Sequence, residues 1–293
     1  MKSTYTGRIR VIAVALSCFF SLTISLLSPL GAKARDLEEI LDSGYLTTSL
    51  RDRDTVWHPT GPKQLQERIV EIFAENLSRK FKKAIKLKKI IVPDFSTFWK
   101  DKSGVVRQGD TYTPAYLSKV DLYADILTVN EWRKKLVLMI PFMPVKELIF
   151  CRGVAAVDIQ DLIAQKLYVY STKTTSFHTL LQAAQFPEKR IIFVRRTGDI
   201  LPALHQGGKQ ACAILDSDSG LYQTRRLPGL KMTGVANESI SQIGWATARS
   251  SGQLAREIRE FFRKFQKTKR FKELFQKQYG LSYNDYLKLL TTL

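Results

Sequence analysis

The chain has 293 residues, of which 44% are hydrophobic and 25% charged, with a formal net charge of +19. That length suits one large or two medium domains, and the apolar share excludes a disordered or low-complexity protein. Its three cysteines and three histidines lack CxxC or clustered-histidine spacing, so neither a metal site nor a cofactor is expected.

In chain order, the first 34 residues stand apart. Lys2, Arg8 and Arg10 make a basic start, residues 11–30 are almost wholly apolar or small, and Ala32-Lys33-Ala34 is a small-x-small site. This is the order of a secretory signal peptide cleaved after Ala34, which implies a periplasmic protein. The alternative is an uncleaved anchor, because roughly 20 apolar residues can span a bilayer, although Pro29 and Gly31 interrupt the run. The segment holds four positive residues, Lys2, Arg8, Arg10 and Lys33, and no acid, which leaves +15 on the remainder. A surface of that charge attracts polyanions. After export the candidates are anionic lipid headgroups, wall polymers or an acidic partner, and nucleic acid is not expected. The simpler reading is that lysines such as those of "RKFKKAIKLKK" (79–89) lie on solvated faces.

"ARDLEEILDSGYLTTSL" (34–50) predicts a short helix stopped by Gly44 and then a strand from Tyr45, since glycine suits the left-handed cap. "KQLQERIVEIFAENLSRKF" (63–81) places Leu65, Ile69, Ile72, Phe73 and Leu77 on one helical face, and a strand follows around 85–92. Residues 99–114 are polar and turn-rich and read as a surface excursion. "VDLYADILTVNEWRKK" (120–135) opens as a buried strand, then runs into Thr128, a polar turn and Arg133 at a helix start. Such a strand end is where many folds keep ligand-binding groups.

Beyond it, strands are predicted over 146–153, 167–172, 190–194 and 211–217, with helices over 158–166, 175–186 and 197–208. Asp158 is the N-cap of the first of these helices. Residues 251–280 predict one helical run whose apolar face carries Leu254, Ile258, Phe261, Phe262, Phe265, Phe271, Leu274 and Phe275. The alternation predicts α/β architecture with mainly parallel sheets. Cys151 and Cys212 lie in the apolar strings "LIFCRG" and "QACAIL". They either pair in an oxidising compartment or remain buried thiols.

Several strings, in this order, resemble the bacterial solute-binding proteins of the amino-acid type. They are "DLEEILDSGYLTTSL", "VDLYADILTVNEWRKK", "DLIAQKLYVYSTKTTSF", "ILPALHQGGKQACAILDS" and "FRKFQKTKRFKELFQKQYG". The stretch "AILDSDSGLYQTRRLPGL" is also similar to the binding-protein-like domain of membrane-bound lytic transglycosylases, although the chain's length leaves no room for their catalytic domain. The resemblance implies the type II periplasmic-binding-protein fold: two α/β lobes, joined by two hinge strands, that close on a small polar solute. Lobe 1 would be residues 35–144 plus 235–293, and lobe 2 residues 145–234. The implied partner is an ABC transporter permease or a membrane sensor, and no catalysis is implied.

The resemblance also implies site residues. Thr128 and Arg133 would face the cleft from lobe 1, the guanidinium giving two parallel hydrogen bonds to a ligand carboxylate. The structural alternative for Arg133 is a solvated or capping arginine. Asp216 would accept from a ligand ammonium, or else cap the following helix; Asp218 reads as the solvated member of "DSD". Thr174 and Thr175 would meet the carboxylate at a helix start, with Lys173 where the family usually has glycine. Asp125 would stand in the cleft where small or hydroxylic residues are usual, close enough to neutralise Arg133. Trp57 would supply an aromatic wall or pack in a loop. In an enzyme of this fold, such as a dehydratase, Asp125 and Asp216 are the candidate acid and base. A wall- or membrane-surface protein using its basic face is a third possibility.

Overall fold

The computed structural model describes residues 34–292 except 54, 55, 57–59, 93, 174 and 208–209. Asp36 starts the first helix, α1 (Leu37–Ser43), through a capping box with Glu39, and Gly44 ends it at φ 68°. Only a residue without Cβ takes that left-handed stop at no cost. Next come β1 (Tyr45–Arg51), the amphipathic α2 (Leu65–Phe81), β2 (Lys86–Val92) and β3 (Leu122–Thr128). α3 (Glu131–Leu136) then leads into β4 (Val137–Val145). The polar excursion of 99–114 is anchored at its start, where Trp99 is 2% exposed.

The chain then crosses into a second sheet at β5 (Glu147–Arg152). That sheet is completed by β6 (Tyr168–Ser171), β7 (Ile191–Phe193), β8 (Ala211–Asp216) and β9 (Leu230–Val235). Between them lie α4 (Ile159–Ala164), α5 (Ser176–Ala183), α6 (Ile200–Gln206) and α7 (Ser217–Thr224). β10 (Ser241–Ala248) returns to the first sheet, followed by α8 (Gly252–Phe265), α9 (Lys269–Tyr279) and α10 (Tyr283–Thr292).

The strand orders are β2-β1-β3-β10-β4 and β7-β6-β8-β5-β9. Both sheets are mixed where mainly parallel ones were expected. β1 pairs in parallel with β2 and β3, and β6 with β7 and β8. β10, by contrast, is antiparallel to both β3 and β4, and β5 to both β8 and β9. The reversed strand in each sheet is the one that arrives from the other sheet, so its direction is set by the crossing and not by a β-α-β connection.

Burial on both faces explains the near-continuous apolar run of β3. Leu122, Ala124 and Ile126 join the core formed with α2 and the C-terminal helices. Tyr123 and Leu127 join a separate core with Phe98, Trp99 and Leu117 on the other face. A third core fills the second sheet. Cys151 and Cys212 lie opposite each other in the β5/β8 register and form a disulfide within it.

The run expected over 251–280 is two helices. Thr268 interrupts it, its hydroxyl accepting from the Phe271 N–H at 3.2 Å, so a new N-terminus is capped inside the apolar pattern. α8 buries Leu254, Ile258, Phe261, Phe262 and Phe265, each worth roughly 1.5–3 kcal/mol when removed from water.

The two crossings are tied to each other and to the C-terminal helices. Lys146, on the first crossing, pairs with Glu238 on the second at 3.0 Å. The Ala236 N–H donates to Glu147 O at 2.9 Å. Tyr286 of α10 donates its hydroxyl to Pro144 O at 2.7 Å, which leaves Ser217 as the donor in its 2.7 Å contact with Tyr286. α7 also packs closely on β5, since a Cβ at Gly220 would stand 2.1 Å from the Phe150 ring.

Candidate binding cleft

The candidate residues gather at the C-terminal ends of β1, β3 and β8, where open α/β sheets place their ligands. Arg51 ends β1, and extending the β1/β3 register brings it opposite Asp125. Its Nε and Nη2 donate to Asp125 Oδ2 and Oδ1 at 2.6 and 2.8 Å. The Arg51 N–H also reaches Oδ2 at 3.1 Å, and the Ile126 N–H reaches Oδ1 at 2.6 Å. Asp125 is fully buried. Burial alone would raise its carboxyl, but Arg51 and Arg53 outweigh that and hold it below the usual carboxylate range.

Arg133 stands in the first turn of α3, whose N-cap is Asn130; the Asn130 side chain accepts from the Arg133 N–H at 3.1 Å. The guanidinium itself is neither a cap nor solvated, since the residue is 8% exposed. Nη1 donates to Thr128 O at 2.7 Å, so Thr128 contributes its carbonyl here. Phe95, Trp99 and Trp132 surround the guanidinium, with ring centroids 5.0, 4.9 and 5.3 Å from Cζ. Phe95 also lies under Arg51, at 4.3 Å. Nε of Arg133 is buried without a hydrogen-bond partner. Burial, helped by Arg51, lowers its pKa to about 9, and it remains a cation at neutral pH. Among the described residues Arg133 makes no ion pair with a carboxylate.

Asp216 closes β8 and precedes α7, but its carboxylate makes no capping bond to that helix. Burial lifts it to about 8, with Asp218 and Glu147 adding to the rise and Arg53 and Arg133 opposing it. Asp218 is fully buried and not the solvated residue expected. α7 packs against the C-terminal helices, so the first turn of this short helix never reaches water, and burial raises the Asp218 carboxyl too. Ser219 lies within 3.4 Å of both Asp218 oxygens and accepts from Arg53 Nη2 at 3.1 Å. Arg53, just past β1, thus reaches from the first sheet to the start of α7 and lies in the field of Asp125, Asp216 and Asp218.

Thr175 has a local role: it caps α5 by accepting from the His178 N–H at 3.3 Å and donates to Thr172 O at 2.8 Å. Thr174 and Trp57 lie outside the described residues. The structure therefore brings together Asp125, Thr128, Arg133 and Asp216. It adds Arg51, Arg53, Phe95, Trp99, Trp132 and Ser219, which the sequence reading passed over. "RDRD" (51–54), directly after the uncharged strand string "LTTSL", carries the same strand-end signal that singled out Thr128 and Arg133. Among the described residues no three His, Cys, Asp or Glu side chains are placed to hold a metal ion, and no helix is long and apolar enough to cross a membrane.

No protein-family model matches the sequence, and no curated protein matches it. Solved structures do match the fold. A mutant of ArgBP from T. maritima superposes with a TM-score of 0.62 at 18% identity, covering 83% of this chain and 99% of that one. The amino acid ABC transporter substrate-binding protein AbpA from Streptococcus pneumoniae, bound to L-arginine, gives 0.61 at 14% identity, with 83% and 98% covered. A histidine kinase sensor domain with similarity to periplasmic binding proteins gives 0.59 at 18% identity, with 80% and 96% covered. The chain therefore has the two-lobed type II periplasmic-binding-protein fold, and binding proteins for amino acids share it.

Proposed function

We propose that this protein is an exported binding protein that captures a small polar solute, an amino acid or related carboxylate, in the cleft between its sheets. The observation that carries the reading is Arg133: a buried guanidinium in an aromatic surround, with a bare Nε and, among the described residues, no carboxylate paired with it. Such a group is costly to bury unpaired, and a ligand carboxylate supplies the missing partner through two parallel hydrogen bonds. Residues 35–144 with 235–293 would act as one lobe and 145–234 as the other, closing about the crossings at Lys146 and Glu238. The basic, apolar start of the sequence and a disulfide in the second core both suit an oxidising, periplasmic setting. Delivery to an ABC transporter or to a membrane sensor is consistent with proteins of both kinds sharing the fold. Binding, not turnover, is the expected activity.

Calorimetry with the protein's co-purifying solute, identified by native mass spectrometry, tests this. Arg133→Ala should weaken binding by roughly 2–5 kcal/mol, the range for removing one member of a buried charge pair. Arg133→Lys should recover part of that loss, because an ammonium lacks the planar fork. Undiminished binding by a folded Arg133→Ala protein would refute the assignment.

A further inference from the structure

The fold neighbours include a protein crystallised with L-arginine, so a cationic amino acid is the obvious first candidate for this cleft. The side chains argue otherwise. A carboxylate has about four lone-pair sites, and those of Asp125 are already used: the Arg51 N–H and Nε on Oδ2, Arg51 Nη2 and the Ile126 N–H on Oδ1. On the opposite side, Asp218 is fully buried beside Ser219, and Ser219 holds Arg53. Two of the cleft's carboxylates are thus faced by guanidiniums of the chain itself. A third guanidinium, Arg133, completes a cluster in which Arg51 and Arg133 share the Phe95 ring. A ligand guanidinium or side-chain ammonium entering here meets like charge at close range and finds Asp125 saturated, and like charges brought together in a desolvated site cost several kcal/mol.

Building on the solute-binding reading above, we infer that Arg51 and Arg53 are specificity-determining residues that occupy the cation subsites of the cleft, so that its ligand is a small carboxylate without a cationic side chain. Rejection comes from the chain's own charges and not from pocket shape, which is discrimination by an installed repulsion. The two arginines are tethered stand-ins for a bound cation. Removing one should open a place for a free guanidinium.

The experiment compares L-arginine, L-lysine, L-alanine, pyruvate and succinate by calorimetry and thermal shift on the wild type, Arg51→Met and Arg53→Ala. The wild type should bind at least one of the last three at least tenfold more tightly than L-arginine or L-lysine. Each variant should gain L-arginine affinity tenfold or more. In Arg51→Met, L-arginine should also restore melting temperature lost with the ion pair, a rescue that L-alanine cannot give. If Arg51→Met does not fold, Arg53→Ala carries the test, because Arg53 lies past the end of β1, outside the Arg51–Asp125 pair. Tight L-arginine binding by the wild type overturns this inference and leaves the solute-binding reading intact. Failure of both variants to gain L-arginine affinity, with carboxylate binding retained, overturns it as well. If none of the five ligands binds the wild type, the inference and the reading beneath it fall together.

Discussion

Arg51 holds Asp125 through both carboxylate oxygens, at 2.6 and 2.8 Å, across two neighbouring parallel strands. The pair has little access to water: the side chains are 13% and 0% exposed. It also settles which charge Asp125 answers, since the sequence pointed to Arg133 as its neighbour.

Breaking this pair from one side should be severe. Asp125→Leu strands Arg51, and Arg51→Met strands a buried carboxylate; each should lower stability by roughly 3–5 kcal/mol, the usual cost of an uncompensated buried charge. Replacing both, Arg51→Met with Asp125→Leu, should cost much less than the two singles combined. Urea unfolding of all three variants measures this as a double-mutant cycle. Additive losses would mean that the two charges do not act as a pair.

The carboxyls of Asp216, Asp218 and Glu147 are all raised by burial. The sign follows directly: above the unfolded carboxyl range of about 4 the unfolded chain releases protons that the folded chain keeps, so stability falls as pH rises. For Asp216 the loss continues until pH reaches its folded value of about 8 and then levels off. The charges facing it are Arg53 after β1, Arg133 on α3, Glu147 on β5 and Asp218 on α7, with Tyr286 of α10 nearby. Asp216→Asn should flatten the slope between about pH 5 and 8 in a series of urea melts, and an unaltered slope would remove Asp216 as its source. An anionic ligand should also bind more weakly once Asp216 ionises.

The disulfide joins strands 61 residues apart in sequence. Closing a loop of that size restricts the unfolded chain, and Cys151→Ala with Cys212→Ala should lower stability by about 2–4 kcal/mol. The double variant should still fold, since both positions lie in an apolar core that an alanine pair fills in part. Equal unfolding midpoints in oxidised and reduced wild-type protein would rule the bond out.

Cleavage after Ala34 should leave Arg35 as the first residue, which mass spectrometry of the exported protein can read. Arg35 is well suited to begin the chain: its guanidinium pairs with Asp121 at 2.9 and 2.6 Å and donates to Tyr45 O at 3.0 Å. Asp36 beside it accepts from the Gln253 and Leu254 N–H groups at the start of α8. An intact Met1 in the membrane fraction would favour the uncleaved anchor.

Much of this molecule is legible in its sequence, because helices and strands announce themselves through local periodicity and caps. Gly44, Asp158 and the apolar stripe of α2 all place elements that are present. The passage from β3 into Thr128, a polar turn and Arg133 is likewise legible as a strand end running into a helix start. What only the tertiary structure decides is pairing between distant positions. Arg51 finds Asp125 through a strand register, Cys151 finds Cys212 through another, and Asp218 loses its water because the C-terminal helices pack on α7. The reversed direction of β10 and β5 likewise follows from where the chain crosses between sheets. Such contacts leave no period in the sequence, since each depends on two segments meeting in space, and the charge state of the cleft rests on them.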